Sequence, residues 1–262
     1  MRDILNDAEK AAERGDVGPG KSNREKDKPS FPKRFYKEVS VLDGDGGYLI
    51  TLDERSVKTP GKNELSLPSE DAAGLVAEEW RLIEEEINPL LMLVTRLCNT
   101  AIDGVAQETQ AVMEDIVRYA SSDLLCYRAD TPEGLVEKQR EHWDPVLDWM
   151  RNANGADFVT ADGIMHVAQS KEAITLFGAQ LKKHNDPFKL ACIHTFTSIG
   201  GSAILALALA EEHLNVEECW NAAHVDEDWN ISLWGLDYEA EERRKQRWKD
   251  FHAADRLLKA IA

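Results

Sequence analysis

The sequence is short of positive charge: 31 lysines and arginines stand against 48 aspartates and glutamates, a net charge of −17. A chain so acidic repels phosphate backbones and anionic lipid surfaces, so binding of nucleic acid or membrane would require a local basic patch. The densest basic stretch, RRKQRWK at 243–249, is bordered by acids on both sides and reads as a salt-bridged helix face. Long apolar runs are lacking too. The strongest, AILALALA at 203–210, is far below the roughly 20 residues of a membrane span and is expected as a buried core helix. The first residues, MRDILNDAEKAAERGD, carry too many acids for a mitochondrial presequence and lack the apolar core of a secretory signal. Cysteine is scarce. Cys98, Cys126, Cys192 and Cys219 are far apart, form no CxxC pair and lie in apolar segments. They are expected as reduced, buried thiols in a reducing compartment, best matched by a bacterial cytoplasm, rather than as disulfides or zinc ligands.

Catalytic signatures are missing as well. HExxH, HxxEH, GxSxG, Walker A and kinase patterns do not occur, and the seven histidines are scattered. DGDGG at 43–47 has glycines but neither the spacing nor the following helix of a phosphate loop. His194 falls in an apolar helical stretch and reads as a satisfied core histidine. His224 beside Asp226 has the chemistry to begin a metal site, but no further ligands can be named. No cofactor and no metal are expected.

What is present divides along the chain. Residues 1–30 form a polar leader ending in Gly, Pro and charge, expected to be disordered. Residues 31–90 read as a β-rich N-terminal domain with one helix. RFYKEVSVL and YLITLD carry β-branched and aromatic residues around the DGDGG turn, and ERSVKTPGKNELSLP adds one or two short strands. The sheet is expected to be antiparallel, with three or four strands. Ser69 caps a helix expected to run to Ile87, where Asn88-Pro89 ends it. Residues 91–262 read as a larger, all-helical C-terminal domain. Pro132 starts a helical stretch interrupted at Asp144-Pro145, Ser170 caps another, and Asp186-Pro187 opens a long helix through Leu214 that contains Gly200-Gly201. Strands first and helices afterwards imply an α+β fold with segregated elements.

The sharpest local feature is HVDEDWNISLWGLD at 224–237. Placed on one helix over 220–236, Ala222, Val225, Trp229, Leu233 and Leu236 share a side, and Trp220, Ala223, Ile231 and Trp234 share the opposite one. Glu227 lies in the middle of the second stripe. A carboxylate buried there alone costs several kcal/mol, on the order of the usual desolvation penalty. Two explanations stand. One is an internal ion pair with an arginine such as Arg96 or Arg118. The other is a stripe that binds a partner, with Glu227 offered to a cationic or amide group.

Seven pieces occur in an order that resembles the Atp12 family of F1-ATPase assembly chaperones: RFYKEVSV, LDERSVKTPGKNELSLPS, AEEW, INPLLMLVTRLCNTAID, DLLCYRA, QREHWDPVLDW and DEDWNISLWGLDYEA. The resemblance runs from Arg34 onward and leaves out the leader. It departs at Leu93, where the family often has Pro, and at Asn230, where it often has Gln. It implies a β-rich N-terminal part and a helical C-terminal part. It also implies a monomeric, cytoplasmic, non-enzymatic chaperone, in a compartment equivalent to the mitochondrial matrix of eukaryotic relatives. Such a chaperone binds the free α subunit of F1-ATPase and keeps it from aggregating before the α/β ring forms. The resemblance places the functionally sensitive acid within Asp226, Glu227 and Asp228, and the helix projection singles out Glu227; taken with the apolar stripes, the expected partner-binding residues are Asp226, Glu227, Asp228, Trp229, Trp234 and Gly235. The competing expectation is a hydrolase, metal-dependent or otherwise, using Asp226, Glu227 and Asp228 with His224.

Overall fold

The structure, a computed structural model, describes residues 31–163, 166–235 and 237–261. The expected polar leader, 1–30, lies outside them. Within residues 33–262 the order of elements is that of an α+β fold, a small antiparallel sheet first and helices after it.

The sheet is built on a hairpin. Strand β1 (Val39–Gly44) pairs with β2 (Gly47–Leu52), Val39 opposite Leu52 and Gly44 opposite Gly47. Asp45 and Gly46 form the two-residue turn between them. At Gly47, φ is +126° and a Cβ would come within 2.5 Å of the Leu67 carbonyl oxygen, so only glycine fits. Strands β3 (Arg55–Ser56) and β4 (Ser66–Leu67) both pair with β2, which makes the four strands expected. Ile50, Leu52, Leu65 and Leu67 are buried.

Helix α1 (Glu70–Arg81) starts where expected: the Ser69 hydroxyl accepts the Ala72 N–H at 3.1 Å. The same hydroxyl donates to the carbonyl of Ala260, 191 residues away. The helix does not continue to Ile87. Beyond Leu82 the backbone finds other partners: Arg34 N–H donates to the Glu85 carbonyl, the Arg34 guanidinium donates to that of Ile83, and Lys33 bridges to Glu86. Ile83 is thereby turned inward while Leu82 remains outside.

Helix α2 (Leu93–Asp103) has no cap of its own, because Met92 supplies none. Glu79 of α1 does that work from a neighbouring helix, accepting from Val94 N–H and Thr95 N–H at 2.8 Å and from the Thr95 hydroxyl at 2.7 Å. At the other end of α2, Asp103 reaches back to the β-rich part. It accepts from the Thr59 hydroxyl (2.6 Å), Gly61 N–H (2.7 Å) and Asn63 Nδ2 (2.8 Å). Desolvation raises the Asp103 carboxyl, but these three donors outweigh it and hold the group below its ordinary range.

Helices α3 (Thr109–Ala120) and α4 (Glu133–Asn154) follow. Contrary to expectation, α4 runs through Pro145 without a break. Proline costs about 3 kcal/mol inside a helix, and burial of Trp143, Val146, Leu147 and Met150 offsets it. Gly155, at φ +72°, ends the helix. A two-stranded parallel pair, β5 (Tyr127–Arg128) and β6 (Ala161–Asp162), was not anticipated.

Ser170 caps α5 (Lys171–Leu181), accepting the Ala173 N–H, and Asp186 caps the next helix, as expected. The single helix expected from Pro187 to Leu214 is instead two, α6 (Pro187–Gly200) and α7 (Ala203–Ala210). Gly201 at φ +70° closes α6, and the Ser202 hydroxyl accepts the Leu205 N–H to start α7. The buried carboxylate of Asp123 accepts from Ile204 N–H at 3.0 Å and Leu125 N–H at 3.1 Å. Burial pushes Asp123 up to about 6 against the pull of these donors and of Ser202. Helix α7 is the core helix that its composition implied, buried from Ala203 to Leu209.

Three helices follow among the described residues: α8 (Val216–Ala223), α9 (Val225–Trp234) and α10 (Tyr238–Ala260). Trp143, Phe177, Phe196 and Phe251 are among the largest fully buried side chains. All four cysteines are buried and free. Among the described residues no helix is long and apolar enough to cross a membrane.

Candidate functional site

The continuous helix expected over 220–236 is broken at His224. Its φ of −118° and ψ of 19° close α8 and open α9. The imidazole turns inward and is buried, with Nδ1 2.8 Å from the carbonyl oxygen of Trp220. The carbonyl can only accept, so Nδ1 carries the proton. Burial pulls the His224 pKa below its ordinary value, and the cations Arg244 and Arg247 pull the same way. The Trp220 carbonyl and Glu227 oppose them. Gly200 lets α6 come close to this bend, since a Cβ there would be 3.3 Å from that of Ala223.

Because of the bend, the two projected stripes do not persist. Ala222 and Val225 are buried and Trp229 is half-buried, but Leu233 is 55% exposed. Trp220 belongs to the core at 7% exposed, whereas Trp234, fourteen residues later in the same projected stripe, is 85% exposed. Helix α9 buries only Val225 fully, so it is not covered on both sides. Leu236 lies outside the described residues. Gly235 ends α9 at φ +79° and ψ 173°, a conformation open essentially to glycine alone.

Each of the three acids has a partner within the protein. Asp226 accepts a hydrogen bond from Nε2 of Gln139 at 2.7 Å. Both oxygens of Glu227 accept from Nη2 of Arg247, at 3.1 and 3.2 Å, and Nη1 of Arg244 lies 3.8 Å away. Asp228 pairs with Nη2 of Arg244 at 2.5 Å. The cations are therefore Arg244 and Arg247 of α10, not Arg96 or Arg118. Arg118 is held by Asp115 of its own helix. Behind the ion cluster the Trp220 ring meets His224 at 3.8 Å, Trp248 at 5.1 Å and Phe251 at 5.5 Å. The Arg244 guanidinium lies 5.9 Å from the Trp220 ring centre.

Trp229 lies against the backbone of α4. A Cβ on Gly134 would meet its ring at 2.8 Å. Lys138 and His142 of α4, with Asn221, Asp228, Trp229 and Ser232, line a shallow cleft of about 200 Å³ beside it. Beyond Trp229 the chain leaves the body of the protein. Leu233, Trp234 and Tyr238 stand out at the corner between α9 and α10, with Tyr238 75% exposed.

Sequence reasoning did not single out Gln139, Arg244 and Arg247 as the partners of the acids, nor Leu233 and Tyr238 as exposed neighbours of Trp234. The available signal was the glycine at 235. A turn there folds RRKQRWK back along DED, and the pairs 227 with 247 and 228 with 244 nest about it. His194, expected as a core residue, is half-exposed, with Nε2 2.9 Å from Asp115. Among the described residues no group of three or more His, Cys, Asp or Glu side chains is placed to hold a metal ion. His224 and Asp226 direct their polar atoms to Trp220 and Gln139.

Fold and site together describe an α+β scaffold with an exposed aromatic corner beside a cluster of ion pairs. Residues 33–151 match the family model of the ATP12 chaperone protein. The crystal structure of Atp12 from Paracoccus denitrificans superposes with a TM-score of 0.83 at 35% identity, covering 88% of this chain and 98% of that one. A candidate chaperone from Agrobacterium tumefaciens superposes at 0.87 with 49% identity, over 100% of this chain and 97% of that one. The mitochondrial protein atp12 of Schizosaccharomyces pombe is 27% identical over 242 residues, covering 88% of this chain and 82% of its own length. The chain belongs to the Atp12 chaperone family.

Proposed function

We propose that this protein is an assembly chaperone for F1-ATPase that binds the free α subunit and shields it until the α/β ring forms. It acts stoichiometrically, as a monomer in a bacterial cytoplasm, with no cofactor and no catalytic turnover. An unassembled ring subunit exposes apolar surface that its neighbours later cover, and such surface aggregates. A protein that covers it lowers the concentration of the sticky form by mass action and yields when the true neighbour offers a better interface. The observation that carries this reading is the corner at Trp234. A tryptophan 85% exposed, beside Leu233 at 55% and Tyr238 at 75%, is the kind of aromatic anchor on which interfaces concentrate their energy. Asp226, Glu227, Asp228, Trp229, Trp234 and Gly235 form or support the contact. The test is a pull-down of isolated α and β subunits, read for selectivity. Capture of α and not β is expected; equal capture of both, or of neither, overturns the assignment of client.

A further inference from the structure

We infer that Glu227 is a positioning residue: its pairing with Arg247 and Arg244 aims the corner of Leu233, Trp234 and Tyr238, and it is that corner, not the carboxylate, that the client touches. The inference deepens the chaperone reading and rests on it for the identity of the client.

Helix α9 has little else to hold it. Of its ten residues only Val225 is fully buried. Its other fastenings lie in its first half: Asp226 to Gln139, Glu227 to Arg247, Asp228 to Arg244, and Trp229 on the Gly134 backbone. From Asn230 to Trp234 only Ile231 is half-buried, and the rest is exposed. The corner is thus a cantilever whose direction is set at its root. The pairs 227 with 247 and 228 with 244 fix how α9 lies along α10, much as staggered pins fix two rods.

Glu227 is poorly presented for a client. Its side chain is 33% exposed and both oxygens face Arg247. Arg244 is more deeply set at 17% exposed, and its Nη1 has no hydrogen-bond partner. Removing the acid strips Arg247 of its carboxylate partner and leaves Arg244 with Asp228 alone, and α9 must shift to restore charge balance. The corner has the opposite character. Its exposed apolar side chains are rimmed by the exposed acids Asp237 and Glu239. The occupant that fits is the apolar, subunit-facing surface of the unassembled α subunit with cationic groups at its edge.

The decisive comparison is Arg247→Gln against Glu227→Gln. If Glu227 acts through Arg247, each change weakens capture of the isolated α subunit by about tenfold and the double variant is no worse than either. Trp234→Ala weakens it at least as much. Amide hydrogen exchange over 230–238 of the free protein rises in both single variants while exchange in the β-sheet and α6 stays at the parent level. Arg247→Lys retains most of the capture. If Arg247→Gln binds as tightly as the parent or tighter while Glu227→Gln fails, Glu227 is itself the contact and the inference falls. Unchanged exchange over 230–238 in both variants overturns it whatever the client does. A parent protein that captures no α subunit overturns the chaperone reading alone, and the exchange measurement still decides the positioning role. A dimer in sedimentation that Trp234→Ala abolishes assigns the corner to a second copy and overturns its assignment to the client.

Discussion

Nε2 of Gln139 donates to Oδ1 of Asp226 across 2.7 Å, 87 residues apart in sequence, while Oε1 of the same glutamine accepts the Ala129 N–H at 2.8 Å. One buried amide thus ties the chain before α4 to the first turn of α9. Gln139→Leu keeps the volume but strands both partners. Leaving buried polar groups unpaired costs about 1–3 kcal/mol each, so a loss of about 2 kcal/mol is expected in urea denaturation. Stability within a few tenths of the parent would mean that water replaces the amide without cost.

Glu79 caps a helix that is not its own. Three charge-assisted or hydroxyl hydrogen bonds converge on it from the start of α2. Glu79→Ala is expected to lower stability by about 2 kcal/mol, beyond an ordinary cap loss of about 1 kcal/mol. Glu79→Gln retains acceptors and loses less. Thermal and chemical unfolding of the two variants checks the order; equal losses would show that the charge contributes nothing.

His224 makes the region sensitive to acid. Burial lowers its folded pKa beneath the ordinary value of about 6.5, so the folded state resists protonation more than the unfolded chain does. Its contribution is complete above about pH 6.5 and is lost as pH falls through the depressed folded pKa. The charged groups facing it, Glu227 from α9 and Arg244 and Arg247 from α10, are those that fasten the corner. Stability measured from about pH 7.5 down to about pH 5.5 is expected to fall more steeply in the parent than in His224→Asn. Parallel curves would remove His224 from the account.

The four thiols should be silent. Burial pushes Cys126 up to about 12 and raises Cys98, Cys192 and Cys219 well above the ordinary range. A thiol reagent at neutral pH is expected to modify none in the folded protein over minutes and all four in denaturant. Rapid labelling of the folded form at any one of them would show that its helix opens readily.

Much of the fold was legible because local chemistry carries it. Ser69, Ser170 and Asp186 announce helix starts through short side chains that satisfy free N–H groups, and the DGDGG turn with its flanking β-branched residues announces the hairpin. What was misread depends on distant partners. Pro145 is tolerated because of what Trp143 and Met150 bury, α1 stops early because Arg34 takes over its carbonyls, and α9 separates from α8 because His224 prefers the Trp220 carbonyl. The candidate acids were visible on their own, and the arginines that hold them were not. A salt bridge between residues 20 apart becomes readable only once the intervening turn is placed. Gly200-Gly201 shows the same division: one glycine permits close packing against Ala223 and the other ends a helix, and spacing alone does not separate the two uses.

The Ser69 hydroxyl and the Ala260 carbonyl join the head of α1 to the tail of α10. Translation delivers α10 after every other described element, and with it come both guanidinium groups that pair with Glu227 and Asp228. A nascent chain cut short before residue 243 carries Trp234 but lacks the partners of Glu227 and Asp228. Competence to dock therefore waits on α10, and chains that stop before it would be poor rivals to those that carry it.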